Sequence, residues 1–263
     1  MTTAAERLSQ MQAYLQDHQF LSVTDACRLH DASPATVRRD FLQLVAQGVA
    51  DRHRGGVRRP DRDALRMVPF AVREMHMSAE KSAIAAEAAR LLTPGEVIFV
   101  DGGTSTLHLA KHLGQVPVRV ITNSLRLAVA VAERPGERPS EQSVEVHLSG
   151  GYLLPRSGLL VGPQAREVIS RYHAQWAFVS VGGVHVNGID NNDEMVMEVE
   201  QAMIANAERT VVLADHTKLG VRSLCHVAPL ASISQVITDS GADPAVVERL
   251  RAAGVVVVIA GQP

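Results

Sequence analysis

Aromatic residues are scarce in this chain, 3% of its 263 residues. So few rings leave no row of platforms on which unpaired bases could stack, which argues against a binder of single-stranded nucleic acid. Cysteine is nearly absent. Cys27 and Cys225 have no neighbour at metal-ligand spacing, so a disulfide framework is not expected and a reducing, cytoplasmic setting is. Long apolar runs are missing too: the best candidate, 255–260, is strand-sized, and no membrane span is expected. The opening MTTAAERLSQMQAYLQDHQ lacks the apolar centre of a signal peptide. A net charge of −2 gives no global attraction to nucleic acid or membrane, so any such surface must be local. There is no G-x-x-x-x-G-K-[ST], and the first glycine turn is not G-x-G-x-x-G, which disfavours nucleoside triphosphate hydrolysis and a dinucleotide fold. The histidines are scattered. His108 and His112 are four apart, without the intervening carboxylate of a zinc protease helix, and read as an exposed helical pair. No metal and no cofactor is expected.

What is present follows two grammars. Residues 1–60 read as short helices and a basic hairpin, residues 81–263 as strands alternating with helices, and 61–80, with Pro60 and Pro69 about it, as a linker. In the first part, Leu8, Met11 and Leu15 recur at helical spacing. Ser22 or Thr24 can cap a second short helix. In HDASPATVRRDFLQLVAQG, Ser33 suits an N-cap and Pro34 the first helical position. Val37, Phe41, Leu44 and Val45 form one buried stripe, and Gly48 fits the helix end. Ala35, Thr36, Arg39 and Gln43 are left for the outer face, with Arg38 on the flank. VADRHRGGVRR then reads as strand, Gly55-Gly56 turn and strand. Ser33 to Arg62 holds seven arginines against three aspartates. A capped helix with outward arginines, followed by a basic hairpin, is a winged helix-turn-helix pattern. Its helix would enter a DNA major groove, while Arg52, Arg54 and Arg58 would meet phosphates.

In the second part, seven strand-like runs are predicted at 97–100, 118–121, 144–148, 176–181, 210–214, 234–238 and 255–260. Helices are predicted at 84–92, 105–113, 125–132, 164–172, 194–207 and 244–253, and the polar stretch 133–142 reads as a surface loop. Near-continuous apolar strands between amphipathic helices imply a mostly parallel α/β sheet covered on both faces. Ligands of such sheets sit beyond the carboxyl ends of the strands. Those ends carry Asp101-Gly102-Gly103-Thr104-Ser105-Thr106, Thr122-Asn123-Ser124, Ser149-Gly150-Gly151, Gly182-Gly183 and Asp215-His216-Thr217-Lys218. Glycines admit backbone N–H groups to an anion, Lys218 supplies a point charge, and Asp101, Asn123 and Asp215 can bond hydroxyls. The set fits a small phosphorylated polyol or sugar.

SPATVRRDFLQLVAQGVADRHRGGV, FAVREMHMSAEKSAIAAEAARLL, VDGGTSTLHLA, VITNSLRLA, LSGGYLLPRSGLLVGPQA and VVLADHTKLG with VITD resemble, in order and over nearly the whole chain, the DeoR family of transcriptional regulators. The resemblance implies a sensor half similar in fold to ribose-5-phosphate isomerase and coenzyme A transferases. It also implies a repressor of a sugar-catabolism operon governed by a phosphosugar bound through Asp101, Gly103, Thr104, Thr106, Asn123, Gly151 and Lys218. Arg54 and Val57 depart from residues common in the family, and VNGIDNNDEMVMEVEQAM is less typical of it.

Two functions compete. The first is a ligand-controlled regulator on double-stranded operator DNA, working as a homo-oligomer, a dimer or tetramer, because helix-turn-helix proteins pair on half-sites. The second is a sugar-phosphate isomerase, for which Glu194, Glu198 or Asp101 would have to be the base. An isomerase has no use for the arginine array, so no catalytic residue and no enzyme activity is expected.

Overall fold

The computed structural model describes residues 4–46, 50–58, 69–133 and 144–261. Gly48 and the predicted loop's residues 134–142 lie outside them. The chain divides into two compact units between Met67 and Val68.

In the first unit, α1 (Ala4–Asp17), α2 (Val23–His30) and α3 (Pro34–Ala46) surround a small core of Met11, Leu15, Leu21, Val37, Phe41 and Leu44. Apolar spacing in α1 and α3 supplies most of it, as the periodicity requires. Ser22 rather than Thr24 caps α2, accepting from Asp25 N at 3.0 Å. Three strands join the helices: β1 (Phe20–Ser22), β2 (Asp51–His53) and β3 (Gly56–Arg58), in the order β1-β3-β2. The sequence pattern missed β1, whose three residues are too few for a period of two to register. It also misplaced the wing turn by one residue. His53 pairs with Gly56, so the turn is Arg54-Gly55 and Gly56 already belongs to β3. Gly55 takes the left-handed φ of +83°. Gly56 is a glycine for another reason: a Cβ there would strike the Leu21 carbonyl and Ser22 Cα of β1.

The second unit is built on seven parallel strands: β4 (Val97–Val100), β5 (Arg119–Thr122), β6 (Glu145–Leu148), β9 (Ala174–Ser180), β12 (Ala207–Leu213), β14 (Gln235–Thr238) and β15 (Val256–Ile259). They are the seven predicted runs, in the order β15-β14-β12-β9-β4-β5-β6. Neighbouring residues of one strand feed opposite layers. Ile98, Val100 and Phe178 pack with Ile84, Ala88 and Leu127 of α5 (Ser78–Ala89) and α7 (Leu125–Ala132). Phe99 and Ala177 pack with α8 (Pro163–Ile169) and α9 (Glu194–Ala205). Burial on both faces is why these strands read as unbroken apolar runs. At the far edge α10 (Pro244–Ala252) packs Val247 and Leu250 against Val236 and Val257.

Three features depart from the sequence reading. The predicted helix 105–113 is only α6 (Thr104–Leu107), followed by 3₁₀ turns His108–Lys111 and Leu113–Gln115. Threonines crowd its first turn, and the Thr106 hydroxyl bonds back to Gly103 O at 3.0 Å, an interaction that competes with continued α-helix. Short antiparallel strands decorate the sheet: the hairpin β7 (Tyr152–Leu154)/β8 (Leu159–Val161), and β10 (Gly183–His185), β11 (Gly188–Asn191) and β13 (Cys225–Ala228) in one three-stranded sheet. Finally, α4 (Phe70–Met75) and the start of α5 belong to this unit, although the sequence reading gave them to a linker. No helix among the described residues is long and apolar enough to cross a membrane.

Candidate DNA-binding surface and effector site

The outer face of α3 is set by its inner one. Ser33 Oγ accepts from Thr36 N at 3.2 Å, which fixes the helix start. Val37, Phe41 and Leu44 are buried, which turns Ala35, Arg38, Arg39, Leu42 and Gln43 to solvent. Thr36 is half-buried under its bond to Ser33. Asp40 faces inward, only 4% exposed, and the Arg7 guanidinium grips it from two nitrogens at 2.8 and 3.2 Å. That pair raises the Arg7 pKa and removes the only carboxylate of α3 from the outer face. The wing exposes Arg52 and Arg54, while Arg58 is half-buried beside Asp51 at 3.8 Å. The surface is therefore cationic although the whole chain is slightly acidic.

In the second unit the strand order reverses between β4 and β9: β5 and β6 lie to one side of β4, and β9, β12, β14 and β15 to the other. A doubly wound sheet opens its ligand crevice at this point. Asp101 ends β4 there, 1% exposed, and its Oδ2 accepts from Ser180 Oγ at 2.8 Å and Ser180 N at 3.3 Å. Its Oδ1 is buried with no hydrogen-bond partner. Burial raises the Asp101 pKa, opposed by Ser180 and the Gly102 and Gly103 N–H groups. Gly102 and Gly103 are also demanded by close packing. A Cβ on the first would run into Leu159 and Ser124, and on the second into Ser180 Oγ. Thr104, Ser105 and Thr106 are all buried at the start of α6, and no described hydrogen bond engages the Thr104 or Ser105 hydroxyl.

Beside this, Thr122-Asn123-Ser124 ends β5. Its outer members serve the scaffold: Thr122 Oγ1 donates to Val100 O at 2.6 Å, and Ser124 Oγ caps α7 at Leu127 N, 3.1 Å. The middle one does not. Asn123 is fully buried, and neither its amide nitrogen nor its amide oxygen has a partner. Two unmet amide atoms in a protein interior call for an explanation, and a bound ligand is one. Gly150 and Gly151, both at positive φ, turn the chain into the β7/β8 hairpin against Gln164, Ala165 and Val161 O. The hairpin folds back over the end of β5, where Leu160 N bonds Asn123 O at 2.7 Å.

Past β12, Asp215 holds its own turn through Thr217 N at 3.1 Å and the Thr217 hydroxyl. Asp239, at the end of β14, takes His216 N and Nδ1, each at 2.7 Å. The Asp239 bond raises the His216 pKa against the effect of burial. Lys218 closes the turn. Burial lowers its pKa, Asp215 works the other way, and no described side chain makes a hydrogen bond or ion pair with its ammonium.

Several residues of the site escaped the sequence reading. His108 is 4% exposed rather than part of an exposed pair, with both ring nitrogens unpartnered and a pKa lowered to about 4, first by burial and then by Lys111 and Lys81. The short α6 rotates it inward, which an α-helical reading of 105–113 cannot anticipate. Glu200 is fully buried. Its Oε1 accepts from Asn191 Nδ2 at 2.5 Å and its Oε2 has no partner. Burial and then the neighbouring Asp101 charge raise its pKa well above the ordinary range. A signal for Glu200 existed: with Val196, Val199 and Met203 it completes an i, i+3, i+4, i+7 stripe. By contrast Glu194 is exposed and Glu198 faces Arg166 at 3.6 Å.

A histidine–aspartate cluster lies apart, on β10, β11 and β13. His185 Nε2 and His226 Nδ1 meet Asp190 at 2.9 and 3.1 Å. Asn187 N donates to His185 Nδ1 at 3.2 Å, which leaves the ring proton on Nε2. A metal at Nε2 would require the other tautomer and the loss of that bond, so this trio is a hydrogen-bonded brace for the small sheet.

Comparison with known proteins fits this anatomy. The profile of the DeoR-like helix-turn-helix domain matches residues 7–63, and that of the DeoR C-terminal sensor domain matches residues 76–240. The chain is a two-part DNA-binding transcriptional regulator; it belongs to the DeoR family. It is 32% identical over 257 residues to the HTH-type transcriptional repressor GlcR of Bacillus subtilis, covering 98% of this chain and 96% of that one. It is 29% identical over 259 residues to the HTH-type transcriptional repressor CsqR of Escherichia coli, covering 98% and 96%. Both relatives carry the name of transcriptional repressors. A ribose 5-phosphate isomerase A structure from Methanocaldococcus jannaschii aligns at a TM-score of 0.38 and 18% identity, covering 54% of each chain.

Proposed function

We propose that this regulator represses a sugar-catabolism operon and that a phosphorylated sugar, bound at the switch point of the second unit, controls its grip on operator DNA. The observation that carries the reading is the set of buried polar atoms left unmet there: Asp101 Oδ1, both amide atoms of Asn123 and both nitrogens of His108. They suit a ligand rich in hydroxyl groups, and Lys218 suits its phosphate. Asp101, Gly102, Gly103, Thr104, Ser105, Thr106, Asn123, Gly150, Gly151 and Lys218 form the effector set. Ser33, Ala35, Thr36, Arg38, Arg39, Gln43, Arg52, Arg54 and Arg58 form the DNA-facing set. The protein acts as a homo-oligomer, a dimer or tetramer, so that two heads meet two half-sites.

Binding to the DNA upstream of its own gene, at fixed salt and across a panel of sugars and their phosphates, tests the reading. One phosphosugar is expected to shift the DNA affinity while its parent sugar does not. An affinity indifferent to the whole panel would overturn the assignment of the effector. Turnover of a panel member would revive the isomerase reading.

A further inference from the structure

The acidic groups of the effector site lie in one layer of the fold. Register pairs Val100 with Thr122, so Asp101 and Asn123 stand side by side where β4 and β5 end. Each comes two residues after a buried core residue, Phe99 or Ile121, that packs into the layer of α8 and α9. A strand returns to the same face at every second residue, which sends Asp101 and Asn123 toward that layer. Glu200 meets them from the helix side. It shares the inward stripe of α9 with Val196, Val199 and Met203, and those three pack in one cluster with Phe99 and Ile121. All three polar residues are buried, and each keeps an oxygen with no hydrogen-bond partner: Asp101 Oδ1, Asn123 Oδ1 and Glu200 Oε2.

Bonds to the scaffold fix which oxygen is left over. Ser180 N and Oγ hold Asp101 by its Oδ2. Asn191 Oδ1 accepts from Asn192 N at 2.6 Å, so the Asn191 amide nitrogen faces Glu200 and donates to its Oε1 at 2.5 Å. In a neutral carboxyl the carbonyl oxygen takes such a bond, which leaves the proton of Glu200 on Oε2. The cluster is more than two acids forced together, because the uncharged Asn123 amide is open beside them on both its atoms.

The charge here is one-sided. Burial raises the pKa of both carboxyls, and Asp101 and Asp193 push that of Glu200 further. No cation is among the leading influences on either, and neither has an ion-pair partner among the described residues. The Lys218 ammonium answers to Asp215 instead. A hydroxyl could bond the open oxygens but would leave the Asp101 charge uncompensated in the interior. A hard divalent cation takes about six oxygens, more than this set offers. An ammonium brings a positive charge and three N–H donors, one for each open oxygen.

We propose that Asp101, Asn123 and Glu200 form an ammonium subsite, that the effector is an amine-bearing sugar phosphate, and that Glu200 is the residue that selects the amine. The proposal rests on the effector-site reading above and narrows it to a bipolar ligand, with its phosphate at Lys218 and its amine at the carboxyls. As the ammonium enters, Glu200 Oε2 gives its proton to solvent and the ligand keeps its own. The net charge of the cluster is unchanged, with the ammonium in place of the proton.

Titration calorimetry on the full chain tests this in two buffers of different ionisation enthalpy, which counts the protons exchanged. The probes are pentose and hexose phosphates, each beside its amino-deoxy counterpart and the N-acetyl derivative of that, at a pH below the pKa of the amine. One amino-deoxy phosphate is expected to bind on the order of tenfold or more tighter than its parent and its acetylated form, the worth of a hydrogen bond to a charged group. It should also release a proton that the parent does not. Any proton lost from the phosphate is common to all three ligands and cancels. Glu200→Gln keeps the size and the donor of the neutral carboxyl but cannot ionise. It should erase the extra proton and most of the preference, while the parent binds as before. A preference for the amine that survives Glu200→Gln would strike Glu200 from the subsite. If a parent sugar phosphate binds through Lys218 as tightly as its amine, with no difference in protons, the ammonium subsite is overturned and the effector site stands. If no probe binds in a way that Lys218→Ala removes, the effector-site reading falls and takes the subsite with it.

Discussion

At the scale of single residues, the second unit keeps polar groups where stability alone would not put them. Asn123 is the clearest case. A buried amide with no partner costs roughly 1–3 kcal/mol, and leucine fills a similar volume without that penalty. Asn123→Leu is therefore expected to raise the melting temperature of the ligand-free protein while abolishing its response to the effector. A lowered melting temperature would mean that the amide has partners in solution and is not held open for a ligand. Two titrating groups give the fold a pH optimum. His108 has a folded pKa of about 4 against 6.5 when free, so between these values only the unfolded chain takes the proton. Stability from this group is complete above about 6.5 and is lost as pH falls toward 4. Glu200 acts on the other side. Its raised pKa means the native state keeps a proton that the unfolded chain releases, so stability falls as pH rises above the ordinary carboxylate range. Denaturant midpoints followed against pH should show His108→Gln flattening the acid limb and Glu200→Gln the neutral one. Parallel curves for wild type and variant would remove that residue from the account.

At the scale of elements, the recognition helix is an inward stripe that dictates an outward one. Arg39 lies opposite Val37, Phe41 and Leu44, so Arg39→Ala should leave the unit folded and weaken operator binding by about 1–3 kcal/mol if it pairs with a base. Arg52→Ala on the wing should instead weaken all sequences alike and flatten the salt dependence, as a phosphate contact does. Electrophoretic titration on operator and scrambled DNA separates the two, and equal losses on both sequences for Arg39 would reassign it to the backbone. Elements such as α3 and the seven parallel strands were legible because each repeats a period long enough to read: a stripe at i, i+4, i+7, i+8, or a run buried on both faces. The candidate site was legible at the strand ends for a topological reason, since a parallel sheet fixes where its loops gather. What escaped was short or set from a distance. β1 and the β7/β8 hairpin are three-residue strands made by their partners. Gly56 looked like half of a turn because the carbonyl that excludes its side chain belongs to Leu21, far along the chain. Lys81 gave no signal at all, because nothing local says that a turn at Met77 brings the carbonyls of Arg73 and His76 onto its ammonium.

At the scale of the whole molecule, the proposed function gives the two units different ligands, and thermodynamics must join them. Let the effector change the operator affinity by some factor. The operator must then change the effector affinity by the same factor, whatever the path between the sites. That requirement gives a test that needs no assumption about geometry or oligomeric state. The effector's dissociation constant is measured by calorimetry with and without saturating operator, and the operator's with and without saturating effector. The two ratios are expected to agree, and to lie in the range of about 5–150 typical of coupled sites. Lys218→Ala should lower the effector affinity for free and DNA-bound protein alike, leaving both ratios intact. If Lys218→Ala instead moves both ratios together, Lys218 takes part in the coupling itself and is more than a contact for the phosphate.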